Sequence, residues 1–275
     1  MTIDSHQHFW NYNPLKDSWI TDEMGALRNN FLPRNLKPIL DANKIDGCVL
    51  VQVDQSEEEN DFLVTLAEEN DFIKGVVGWV DFQADNIQDR LAYYASIKKL
   101  RGFRHIVQGE SDDRFLMRPD FMRGISALQS HNFTYDILIY PHQLSVSIEF
   151  VRKFPTQKFV IDHLAKPEIK NGNIQSWKKE IREIAAMENI HCKISGMVTE
   201  ADWQKWTYAN VEPYLDVVFE SFGIDRLMYG SDWPVCLLAG SYEKQLSITE
   251  SYINSLSDTE QNKIMGANAF NFYNL

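Results

Sequence analysis

Cys48-Val49-Leu50-Val51 and Phe159-Val160-Ile161 are unbroken apolar runs with polar residues on either side. A half-solvated strand alternates apolar and polar residues. A run without alternation belongs to a strand covered on both faces, as in a parallel sheet enclosed by helices. These two runs sit within candidate strands Gly47–Val53 and Lys158–Ile161. Working outward, six more β-branched runs follow: Met1–Ser5, Ile73–Val80, Leu100–His105, Phe133–Ile139, Ile190–Ile194 and Arg226–Gly230.

Helical spacing fills most of the gaps. Glu57–Asn70 carries Phe62, Leu63, Leu66 and Ala67 on one face, with acidic residues outside. Pro38–Asn43, Phe121–Ser130, Leu144–Phe154 and Trp177–Glu188 read likewise, as does Val211–Phe222, stopped by Gly223. Ser257 and Glu260 have the spacing of a capping box opening a last helix. The alternation is β then α, eight times, at a mean spacing of about 34 residues, which predicts a single-domain (β/α)₈ barrel over residues 1–275. No G-x-G-x-x-G or Walker motif supports the rival doubly wound sheet. The long segments 11–35 and 198–210 follow strands one and seven, and both contain or adjoin tryptophan (Trp10, Trp19, Trp203, Trp206). On a barrel they would lie over the catalytic face.

The chain has 275 residues, 27 Lys and Arg against 39 Asp and Glu, and a net charge of −12. That field repels nucleic acid and anionic membranes, so neither is expected as a partner. No basic, apolar leader opens the sequence and no run is long enough to span a bilayer. With three scattered cysteines (Cys48, Cys192, Cys236) and no CxxC pair, a reducing cytoplasmic setting with buried free thiols is expected. Exposed aromatics leave room for a homodimer.

Polar residues gather where strands end. Strand one runs into His6-Gln7-His8, whose i, i+2 spacing turns both imidazoles to one side. Strand four ends in Arg104-His105, strand six in Asp162-His163, and strand eight in Ser231-Asp232-Trp233. His142 follows strand five and is a further candidate. Two imidazoles at a barrel mouth can share a metal ion or grip a polar substrate. Convergence of this set on one rim points to an active site. No G-x-S-x-G elbow and no H-E-x-x-H helix competes with it.

The motifs Ile3-Asp4-Ser5-His6-Gln7-His8-Phe9-Trp10, Gly78-Trp79-Val80-Asp81, Gly102-Phe103-Arg104-His105, Asp162-His163-Leu164-Ala165-Lys166-Pro167, Lys193-Ile194-Ser195-Gly196 and Gly230-Ser231-Asp232-Trp233-Pro234 together resemble the amidohydrolase superfamily. Within it the chain is similar to the lactone-hydrolysing branch, and Thr199-Glu200-Ala201-Asp202-Trp203 looks most like its sugar-lactonase members. The resemblance implies a (β/α)₈ barrel opening an aldonolactone to the aldonic acid. It also implies a departure from binuclear relatives, whose strand four ends in a bridging carboxylated lysine or glutamate. Arg104 and His105 stand there and cannot bridge two cations. Chemistry without a cofactor is the favoured expectation, and one zinc ion on His6, His8 and Asp232 is the other.

For that reaction Asp232 is expected to be the general base, with a pKa raised by its enclosure beside Trp233 and Pro234. Arg104, His6 and His8 would hold the oxyanion, and His163 would orient water or protonate the leaving oxygen. Trp10, Gln52, Asp54, Trp79, His105 and Trp233 are expected to contact substrate. One strong candidate for a cavity arginine suggests a neutral lactone, at a locally cationic mouth. The rivals are a zinc-dependent decarboxylase or other hydrolase of the superfamily, acting on a muconate- or pyrone-type acid, and a non-catalytic sugar-binding barrel.

Overall fold

The computed structural model describes residues 1–275 and forms the expected barrel. Eight strands, β1 (Ile3–Gln7), β2 (Gly47–Val51), β3 (Ile73–Gly78), β4 (Leu100–His105), β5 (Thr134–Ile137), β6 (Phe159–Ile161), β7 (Ile190–Ile194) and β8 (Leu227–Tyr229), pair in parallel in sequence order. The eight helices that follow them in turn are α1 (Pro33–Ala42), α2 (Glu57–Glu69), α3 (Ile87–Tyr94), α4 (Pro119–Leu128), α5 (Leu144–Lys153), α6 (Gln175–Ala185), α7 (Tyr208–Phe222) and α8 (Tyr242–Ile253). Short α9 (Asp258–Asn262) and α10 (Asn268–Tyr273) complete the chain. The unbroken apolar runs are explained: Cys48, Val49, Leu50 and Val51 are all fully buried, some against the outer helices and others inside the barrel.

Local signals worked where a specific interaction enforces them. Ser257 and Glu260 form the capping box that opens α9. Gly223, at φ +65°, ends α7, a conformation that costs glycine little. The sequence reading missed α3 and α8. The first is only eight residues long and the second has polar residues scattered around it, so neither shows a strong apolar stripe. All three cysteines are buried and unpaired. No helix is long and apolar enough to cross a membrane.

The closure between β8 and β1 positions the site. The strands themselves stop short, and the residues after them make the seam. Asp232 N–H donates to the His6 carbonyl at 2.8 Å, and His8 N–H donates to the Trp233 carbonyl at 2.7 Å. Buried Asp4 ties both sides together. One of its carboxylate oxygens accepts from His6 N–H (3.1 Å) and Ser231 N–H (2.9 Å), and the other from the Tyr242 hydroxyl (3.1 Å).

Candidate active site

A cavity of about 460 Å³ opens at the C-terminal ends of the strands, lined by residues that follow every strand except β3. His8, Arg104, His163 and Asp232 reach it, with Trp10, Trp19 and Trp203 among its apolar walls. Both long segments singled out in the sequence therefore contribute to the mouth. A hollow of about 530 Å³ lies at the opposite end of the barrel around Gln129, Lys158 and Phe272, but no titratable groups converge on it.

Four of the expected site residues cluster tightly. His6 Nε2 and His8 Nε2 are 3.2 Å apart. Asp232 Oδ1 lies 3.3 Å from His8 Nε2, 3.9 Å from His6 Nε2 and 3.8 Å from His163 Nε2. The partner on the other ring nitrogen assigns the tautomer of His8. His8 Nδ1 sits 2.8 Å from the Val51 carbonyl, so it carries the proton. His6 Nδ1 lies 3.2 Å from Asp162 Oδ1 and 3.0 Å from the Lys193 ammonium, and its Nε2 lies 3.3 Å from Arg104 Nη1. The His8 Nε2 lone pair, His6 Nε2 and a carboxylate oxygen thus stand together.

The His8 lone pair and the Asp232 carboxylate oxygen, 3.3 Å apart, repel unless something positive stands between them. Zinc at about 2.0–2.1 Å from each of three tetrahedral donors sets those donors about 3.3 Å apart, close to two of the three separations. The Val51 carbonyl supplies His8 with the outer acceptor that orients a metal-bound histidine, and Asp162 Oδ1 stands 3.2 Å from His6 Nδ1. The residues fit one divalent cation on His6, His8 and Asp232.

Arg104 turns out differently from its expected role. Nη1 is used by Asp162 (2.9 Å) and His6, and Nη2 by the backbone and side-chain oxygens of Gln52. Its terminal N–H groups are committed, and Nε is buried without a partner. It can offer an oxyanion its charge, but no terminal N–H without losing a partner.

Behind these residues lies an ionic cluster that sequence reasoning did not pick out as part of the site. Lys193 Nζ, fully buried, lies 2.6 Å from Asp136, 2.9 Å from Asp162 and 3.0 Å from His6 Nδ1. The Tyr273 hydroxyl donates to Asp136 at 2.8 Å. The available signal was a charge inside an apolar strand: Asp136 in β5 and Lys193 in β7. Burial would raise Asp162, but Lys193, His6 and Arg104 hold it well below the ordinary carboxylate value. Asp136 is pushed up to about 6, burial outweighing the pull of Lys193.

The protonation pattern corrects two expectations. Burial would raise Asp232, but His163, His8 and Lys166 outweigh it and its pKa is lowered, not raised. The mouth is not markedly cationic either. Burial drives His163 down to about 4 and, with the charge of Lys193, holds His6 well below its usual value. The remaining cations are matched by neighbouring carboxylates.

The expected substrate contacts divide. Trp10 lines the cavity, its indole N–H buried without a partner. Gln52 is buried behind Arg104. Asp54 faces Lys16 at 3.0 Å, beside a separate hollow of about 260 Å³. The Trp79 indole donates to His105 Nδ1 (3.2 Å), and His105 Nε2 meets Glu110 at 2.7 Å, so these two satisfy each other outside the cavity. Trp233 packs edge-on against Phe9 and Phe31 instead of facing the cavity. His142 is exposed and pairs with Asp113. Lys166, Glu200, Gln108 and Tyr140 line the cavity and were not among the expected residues.

Fold and site define a class: a parallel-barrel enzyme with a histidine–carboxylate centre at the strand ends. The chain belongs to the amidohydrolase family, whose model matches residues 3–275. It is 38% identical to the L-fucono-1,5-lactonase of Burkholderia multivorans, covering 100% of this chain and 96% of that protein. It is 35% identical to the L-fucono-1,5-lactonase of Burkholderia ambifaria, covering 99% and 95%. A crystal structure of a Burkholderia multivorans amidohydrolase with bound zinc superposes with a TM-score of 0.97 at 38% identity, covering 100% of this chain and 99% of that one.

The buried cluster has a testable consequence. Lys193→Met leaves two carboxylates buried beside each other without their shared cation, which should cost about 3–5 kcal/mol of folding stability. Urea unfolding measures it, and an unchanged midpoint would show that the cluster is not held by Lys193.

Proposed function

We propose that this protein opens a neutral sugar lactone by attack of water on the carbonyl carbon, giving the aldonic acid. The observation that carries the reading is the convergence of His8, His163 and Asp232 on one cavity, with His6 packed directly behind them, in a chain similar over its whole length to lactonases.

Asp232, ionised at neutral pH, takes a proton from water as its oxygen bonds to the carbonyl carbon. The Asp232 carboxylate beside His163 Nε2, 3.8 Å away, favours the tautomer with the proton on Nε2, toward the cavity, and Nδ1 then accepts from the Ser195 hydroxyl 2.8 Å away. The Nε2–H group and the charge of Arg104 stabilise the tetrahedral oxyanion. The bond from the carbonyl carbon to the ring oxygen then breaks, and the proton held on Asp232 passes to that oxygen. Because His163 is neutral, it orients and donates a hydrogen bond instead of supplying the proton. Trp10, Trp19 and Trp203 offer apolar faces to a sugar ring.

His6, His8 and Asp232 are the residues that would hold a divalent cation. Bound there, such an ion would lower the pKa of a water and polarise the carbonyl. The donor set gives this reading more weight than sequence alone allowed.

Asp232→Asn should fold normally and lower kcat on an aldonolactone by about 10²–10⁴, the usual worth of a general base. Near-normal kcat in that variant would overturn the assignment. Calorimetric titration of chelator-treated protein should show one zinc bound per chain, lost in His8→Ala. If the unmodified protein takes up no zinc, the cation reading falls.

A further inference from the structure

Residues His163, Leu164, Ala165 and Lys166 all have positive φ, between +49° and +58°. None is glycine or asparagine. A left-handed turn of ordinary residues costs about 1–2 kcal/mol per residue, and such strain persists only where surroundings enforce it. Here Leu164 and Ala165 are fully buried, the Trp177 indole donates to the Leu164 carbonyl at 2.8 Å, and Lys166 N–H donates to the His163 carbonyl at 2.7 Å. Gly196 is also required, since a Cβ there would stand 2.6 Å from the His163 ring. In a turn of about three residues, positions i and i+3 share a face. The strained turn therefore presents His163 and Lys166 to the same cavity, and both line it.

Beside Lys166 stands Glu200, from the segment after β7. The two charged heads are 3.6 Å apart, attractive but too far for a good hydrogen bond. Neither has a hydrogen-bond partner elsewhere in the protein. The Lys166 ammonium, over the Tyr140 ring at 5.5 Å, and the Glu200 carboxylate thus stand side by side in the cavity wall, with donors and lone pairs left over for a ligand. A hydroxyl both donates and accepts, so neighbouring ring hydroxyls would satisfy both. A substrate carboxylate would not: Glu200 and Asp232 repel it, and the terminal N–H groups of Arg104 are already in use.

We propose that the Lys166–Glu200 pair reads the ring hydroxyls of the substrate and sets the preference for a neutral polyhydroxylated lactone over one bearing a free carboxylate. The inference rests on the lactone reading above and extends it to specificity. Rejection of the charged ring comes from the carboxylates of Glu200 and Asp232 that it would meet.

The test compares kcat and KM on an aldono-1,4-lactone with those on the aldaro-1,4-lactone that differs by one terminal carboxylate. Glu200→Gln should raise KM for the neutral lactone about tenfold, because a neutral amide oxygen accepts more weakly than a carboxylate. It should also narrow the kcat/KM preference for the neutral ring by a similar factor. Lys166→Met should weaken the neutral lactone too, but shift the preference the other way, because it removes a cation. Opposite shifts in variants of wild-type circular dichroism support the proposal. Equal losses on both lactones, or no shift in preference, overturn it. Failure of the unmodified protein to open any lactone would overturn the function itself, and the specificity inference with it.

Discussion

The seam between β8 and β1 is the constraint on which the site depends. Both strands end before they meet, so the barrel is closed by the backbone of Asp232 and Trp233 against that of His6 and His8. The hydrogen bonds that complete the fold are the same ones that bring the carboxylate to the two imidazoles. Asp4 reinforces this from below by accepting from His6 and Ser231 together. A site built this way is as rigid as the barrel itself, which is what positioning of a base against a reacting carbonyl requires.

Electrostatics follows from the same arrangement. A centre buried this deeply cannot carry unmatched charge. Lys193 and Arg104 are set against Asp136 and Asp162, and His6 and His163 are held neutral. The net charge of −12 therefore belongs to the outer surface and says little about the mouth. What the mouth offers is a nearly balanced set of donors and acceptors, suited to a neutral polar ring.

The architecture was legible because a barrel repeats one unit: buried parallel strands leave unbroken runs such as Cys48-Val49-Leu50-Val51, and their spacing identifies the fold. His6, His8, His163 and Asp232 were legible because polar residues at strand ends have few structural reasons to gather. Asp54, Trp79 and His105 also follow or end strands, but local partners turn them away, and pairings such as Trp79 with His105 are tertiary facts. Lys166 and Glu200 were hidden for a related reason. Nothing in Leu164-Ala165-Lys166 announces a left-handed turn, since glycine and asparagine, the usual markers, are absent. The pKa of Asp232 was misjudged because enclosure by Trp233 and Pro234 was visible in sequence, whereas its opposing neighbours were brought in from β1 and β6.

The central claim is that the protein directs water onto a lactone carbonyl. The most direct measurement follows a neutral aldonolactone in ¹⁸O-labelled water with the purified protein. The account requires acid release faster than spontaneous opening, with the label in the new carboxylate and none in the freed hydroxyl. No rate above background, or label in the hydroxyl, would contradict it.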